Sequence, residues 1–168
     1  MEKTINKLSA ISYNGQVTIK AVDGKRVLYS SRSHNTGKQK LFDFLANCLT
    51  GDFVAAKSAM PCRIACFSGE VSKDTKVSTY VYCDSSNYIN HKTEDMAEVV
   101  FRFRIPYTCL KAGTTINYLA LFPDVPSDPE TDCCAEFMLA SGINVPSSGG
   151  NYTILVEWKM TLQDSSSN

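Results

Sequence analysis

The closing segment constrains the fold more than any other stretch of the chain. From Tyr152 to Leu162, Ile154, Val156, Trp158, Met160 and Leu162 alternate with Leu155, Glu157, Lys159 and Thr161. Successive side chains of a β-strand point to opposite faces, so one face of this strand is wholly apolar and must be buried. The same period recurs at Val17, Ile19 and Ala21, set against Gln16, Thr18 and Lys20. It recurs again at Phe101, Phe103 and Ile105, set against Arg102 and Arg104. Further strand-like runs cover 27–29, 61–67, 77–83, 88–92, 114–122 and 134–140. Turn chemistry separates them: Asp23-Gly24, a polar 69–75 stretch, Asp84 to Asn87, and Pro146 to Gly150.

Strands in that number with so little helix cannot build a parallel sheet, which needs a crossover element between neighbours. The pattern predicts a mainly β protein: an antiparallel, jelly-roll-like β-sandwich of about eight strands with one amphipathic helix. It predicts one domain over 1–168 with short flexible termini. A chain of 168 residues buries such a core without covalent staples.

One segment alone carries helical spacing. Leu41, Phe44, Leu45, Cys48 and Leu49 recur at three and four residues, giving one apolar stripe. Thr36 is expected to cap the helix, with Gln39 completing a capping box, and Gly51 to end it in the left-handed conformation. Leu45 is expected to share a core with Trp158, so that Leu45→Ala costs about 2–5 kcal/mol. Val54 to Met60 reads as a connector. The 124–132 stretch, DVPSDPETD, reads as a mobile, solvated acidic loop without calcium-loop spacing.

Lys plus Arg and Asp plus Glu each total 17, so there is no basic surplus for phosphate neutralisation, and nucleic acid is not an expected partner. Lys20, Lys25, Arg26, Arg32, Lys38 and Lys40 do cluster in sequence, and Arg102 with Arg104 reads as a solvated outer face. No run is long and apolar enough to span a bilayer, and the N-terminus has no secretory h-region. A soluble protein folded where it is made is expected. Seven cysteines include no CxxC pair, and His34 and His91 lie far apart, so no metal site is read. Cys62 and Cys66 fall on one strand face as small buried hydrophobes, and the odd cysteine count fits a reducing compartment. Neither histidine sits in a nucleophile motif, and the Ser147 to Gly150 turn lacks the helix and lysine of a phosphate cradle. No catalytic residue, cofactor or small-molecule substrate is assigned, and no enzyme activity is expected.

Two blocks of the chain carry a resemblance. One is the hairpin leading into HNTGKQKLFDFLANCLTGDF and then MPCRIACF; the other is TINYLALFPD followed by EFMLASGINVP and the closing NYTILVEWKMTL. Together they resemble small structural proteins of tailed bacteriophages; the 70–112 region lies outside the resemblance. It implies a virion component assembled in the host bacterial cytoplasm: a repeated subunit of tail, neck or baseplate, with capsid decoration as another position. The implied partners are other virion proteins and copies of the chain itself. The contact elements would be the 124–132 loop, the 84–95 segment and the termini. A β-sandwich that binds carbohydrate or a receptor is the competing reading. It would need an exposed aromatic platform, for which Tyr80, Tyr82, Tyr88 and Tyr107 are the candidates.

Overall fold

The computed structural model describes residues 11–84, 89–93 and 96–164. Ten strands are present: β1 (Ile11–Asp23), β2 (Arg26–His34), β3 (Thr36–Gly37), β4 (Arg63–Phe67), β5 (Val81–Tyr82), β6 (Ile89–Thr93), β7 (Met96–Pro106), β8 (Thr115–Phe122), β9 (Ala135–Asn144) and β10 (Tyr152–Asp164). Helices α1 (Gln39–Thr50), α2 (Phe53–Ala59), the single turn α3 (Pro129–Asp132) and a 3-10 turn (Tyr107–Cys109) complete the described elements. The strands form two antiparallel five-stranded sheets, in the orders β2-β1-β10-β7-β6 and β3-β9-β8-β4-β5. The sandwich read from the sequence is therefore present, with the two-residue strands β3 and β5 adding to the expected count. Tyr88, the rest of 85–88, the chain ends, and the side chains of Leu49, His91 and Leu162 lie outside the described residues.

β10 sits at the centre of the first sheet, and its register sets Trp158 between Val17 of β1 and Phe101 of β7. This inward row packs across the sandwich on Leu119 and Leu121 of β8, Ile64 of β4 and Phe137 of β9, all in one buried cluster. An indole N–H cannot accept a hydrogen bond, so a buried tryptophan needs an oxygen facing it. Asn35 supplies it. With the Asn35 amide oriented so that its oxygen faces the indole, Trp158 Nε1 donates to Asn35 Oδ1 at 2.8 Å, Tyr13 Oη donates to the same oxygen at 2.9 Å, and Asn35 Nδ2 donates to Gly15 O at 2.9 Å. Burial pushes the Tyr13 phenol up, against the lowering effect of its hydrogen-bonded neighbours Asn35 and Trp158.

Helix α1 differs from the expectation at its start. The N-cap is Lys38, with no side-chain cap, while Thr36 is consumed by β3, where it pairs with Glu136. A ladder partner outcompetes the capping box. The C-terminal reading holds: Gly51 takes φ +78° and closes the helix. Leu41 carries the core contact at 1% exposure, whereas Phe44 and Leu45 are half-buried and Cys48 is exposed. Leu45→Ala should thus cost only about 1–2 kcal/mol in denaturant melts, below the range for a fully enclosed leucine. A loss above about 3 kcal/mol would place Leu45 deeper than this packing allows.

Three further readings also change. Residues 54–59 are helical, because the Asp52 carboxylate accepts from Ala55 N at 3.0 Å and caps α2. Within 77–83 only Val81–Tyr82 makes a ladder. Val77 and Ser78 instead divide their bonds: Val77 N–H donates to Cys66 O, Lys111 N–H donates to Val77 O, and Ser78 Oγ accepts from Cys66 N. The 124–132 loop, read as solvated, carries internal hydrogen bonds and a buried proline. Asp132 Oδ2 accepts from Ser127 N (2.7 Å), Ser127 Oγ (2.9 Å) and Asp128 N (3.1 Å), and Pro129 is buried.

Candidate functional site

Helix α2 reverses the usual amphipathic arrangement. Its buried residues are Ala56 and Ala59, one turn apart, and two methyl groups let the helix lie close against the sandwich. Its large apolar side chains point outward: Phe53 is 72% exposed and Val54 85%. Beside them run the end of α2, Cys62 before β4, Tyr82 and Cys83 at β5, and Asp124 with Val125. Together they enclose a groove of about 1000 Å³. Five of the nine large exposed hydrophobics among the described residues line it: Phe53, Val54, Met60, Tyr82 and Val125. Scattered apolar residues on a surface need no explanation, but a contiguous set marks a contact site.

One wall of the groove is held by a polar network. The Arg63 guanidinium lies 3.9 Å over the Tyr82 ring and 3.2 Å from Asp124 Oδ1, and Tyr82 Oη donates to Asp124 at 2.7 Å. Arg63 also bonds the Tyr82 hydroxyl. The hydrogen bonds from Tyr82 and then Arg63 hold the Asp124 carboxyl below its ordinary range. The same Asp124 hydrogen bond raises the Tyr82 phenol. Three elements distant in sequence are thereby pinned in one orientation, so the groove is preformed.

The other sequence candidates are placed elsewhere. Lys38 and Lys40 pair with Glu136 and Asp132, whereas Lys20 and Arg32 stand on the outer face of the first sheet. The N-terminal basic cluster is thus divided between different surfaces. Arg102 and Arg104 face outward as expected, Arg102 bonded to Glu157 at 3.0 Å. His34 is exposed, with Nδ1 3.1 Å from Asn14 Oδ1. Cys66 and Cys134 are buried in the core, and burial pushes both thiols up to about 12. No group of three His, Cys, Asp or Glu among the described residues is placed to hold a metal ion. No helix among them is long and apolar enough to cross a membrane.

The described tyrosine candidates for a platform are each engaged on one side. Tyr80 is half-buried edge-on to Phe122, Tyr107 is half-buried against Tyr152, and one face of Tyr82 is covered by Arg63. Compared with known proteins, the chain matches no family model, no curated protein and no solved structure.

Proposed function

We propose that this chain is a non-enzymatic structural subunit of a tailed-bacteriophage virion, present in repeated copies in the tail, neck or baseplate. Its α2 groove receives a neighbouring subunit, in the first instance another copy of the chain. The observation that carries the contact role is the outward aim of Phe53 and Val54 beside Met60, Tyr82 and Val125. The phage setting rests on the resemblance to small virion proteins of two blocks: the first hairpin with the 34–53 and 60–67 stretches that follow it, and the stretches within 115–162. Symmetric assemblies reuse one patch on every copy, and a rigid, partly apolar groove suits that use. Of the contact elements expected from the sequence, the 124–132 loop borders the groove through Asp124 and Val125. Capsid decoration would employ the same surface.

Phe53→Asp tests the role cleanly, because the side chain is mostly exposed and its loss should leave melting within a few degrees of wild type. Incorporation into particles, read by quantitative mass spectrometry of purified virions, is expected to fall at least about tenfold, as for loss of an interface hot spot. Unchanged incorporation, or a single copy per particle with no like-subunit contact, would overturn the reading.

A further inference from the structure

The floor of the groove holds two thiols in register. Arg63 pairs with Tyr82 and Ile64 with Val81, and Cys62 and Cys83 follow that ladder one step outside it. Cys83 N–H donates to Cys62 O at 2.8 Å, which fixes that step. A backbone hydrogen bond of that length holds the two Cα atoms within about 6.7 Å of each other. A disulfide spans Cα separations of about 4.4–6.8 Å. Both side chains border the same groove and both are half-buried, within reach of a soluble oxidant. Of the remaining five, Cys66, Cys133 and Cys134 are buried, Cys48 lies on the exposed side of α1, and half-buried Cys109 has buried Cys66 as its thiol neighbour.

We propose that Cys62 and Cys83 are a cross-strand dithiol that closes to a disulfide when the protein meets a disulfide oxidant such as oxidised glutathione. The Cys62 thiolate attacks oxidised glutathione, releasing one glutathione thiolate and leaving a mixed disulfide. The Cys83 thiolate then attacks Cys62 Sγ and releases the second. Two protein thiols are oxidised, one glutathione disulfide is reduced, and both thiol protons end on the two glutathione molecules. Burial, with Asp124 adding to it, keeps the Cys62 thiol above its ordinary range, so closure is slow at neutral pH and faster in mild alkali. The closed bond ties the two-residue edge strand β5 to β4 and covalently loops the chain between them. It does not depend on what occupies the groove.

The test is oxidised glutathione treatment of the native protein at mildly alkaline pH, followed by alkylation, tryptic digestion and mass spectrometry without reduction. Fragments 58–63 and 77–92 are expected joined, lighter than their sum by two hydrogen atoms. Melting temperature is expected to rise by roughly 5–10 °C, reversibly with dithiothreitol. Cys62→Ser should abolish the joined fragment and the rise, while Cys48→Ser keeps both. Recovery of the two fragments unlinked after Cys48 has fully reacted, or either one joined to a different cysteine, would overturn the assignment.

Discussion

Gly15→Ala is expected to destabilise the protein by about 3–5 kcal/mol, although it adds one methyl group in a strand. Gly15 is buried, and a Cβ there would overlap the Asn35 side-chain amide and stand 2.5 Å from Tyr13 Oη. The amide would have to leave. Its departure removes the amide oxygen shared by the Trp158 N–H, in a side chain with no exposure, and the half-buried Tyr13 hydroxyl, leaving the two donors only each other. Each buried donor left without a partner costs about 1–3 kcal/mol, and the displaced side chain adds strain. Trp158 is the only tryptophan, so its emission reads the site directly. Chemical denaturation of Gly15→Ala, Asn35→Ala and the double variant forms a cycle. The double variant should cost clearly less than the sum, because either change alone already removes the acceptor. Gly15→Ala within about 0.5 kcal/mol of wild type would mean that Asn35 does not hold this position.

How much of this was legible in the sequence depends on which faces were wet. β1, β7 and β10 each present one face to solvent, so Val17, Phe103 and Val156 alternate with polar residues and the period gives them away. Asn35 could not be read as the partner of Trp158, since nothing local links positions so far apart in the chain. α1 was visible through its stripe, but which leucine reached the core was not, and Leu41 took the place expected of Leu45. The groove was hidden for a different reason. Its helix has seven residues and turns alanines inward, so hydrophobic patterning points away from the true core face. Asp52, an N-cap just before the run FVAAKSA, was the available signal. The Arg63–Tyr82–Asp124 network joins residues up to 61 positions apart, and only tertiary structure assembles it.

The second sheet makes the other large prediction. Leu119, Ala120, Leu121 and Phe122 are all fully buried in succession, so β8 is covered on both faces. Leu119 and Leu121 meet the first sheet. Ala120 and Phe122 join Ala65, Phe67 and Cys133 in a separate cluster on the outer face, against which Val71, Tyr80 and Tyr118 pack. The 68–80 segment therefore acts as a third layer, its Tyr80 ring edge-on to Phe122 at 5.1 Å and the Phe67 ring 5.9 Å from Phe122. Because β4 and β8 carry residues of both clusters, loss of the outer one weakens the ladder that the inner one needs. Phe122→Ala is expected to cost about 3–5 kcal/mol in denaturant melts, and half-buried Tyr80→Ala about 1–2 kcal/mol. Hydrogen exchange separates a cooperative layer from a loose flap. In Phe122→Ala, the Val77 amide bonded to Cys66 O and the Cys134 amide bonded to Leu121 O should lose protection together. Faster exchange at Val77 alone, with global stability within about 1 kcal/mol of wild type, would make the 68–80 segment a surface flap rather than part of the core.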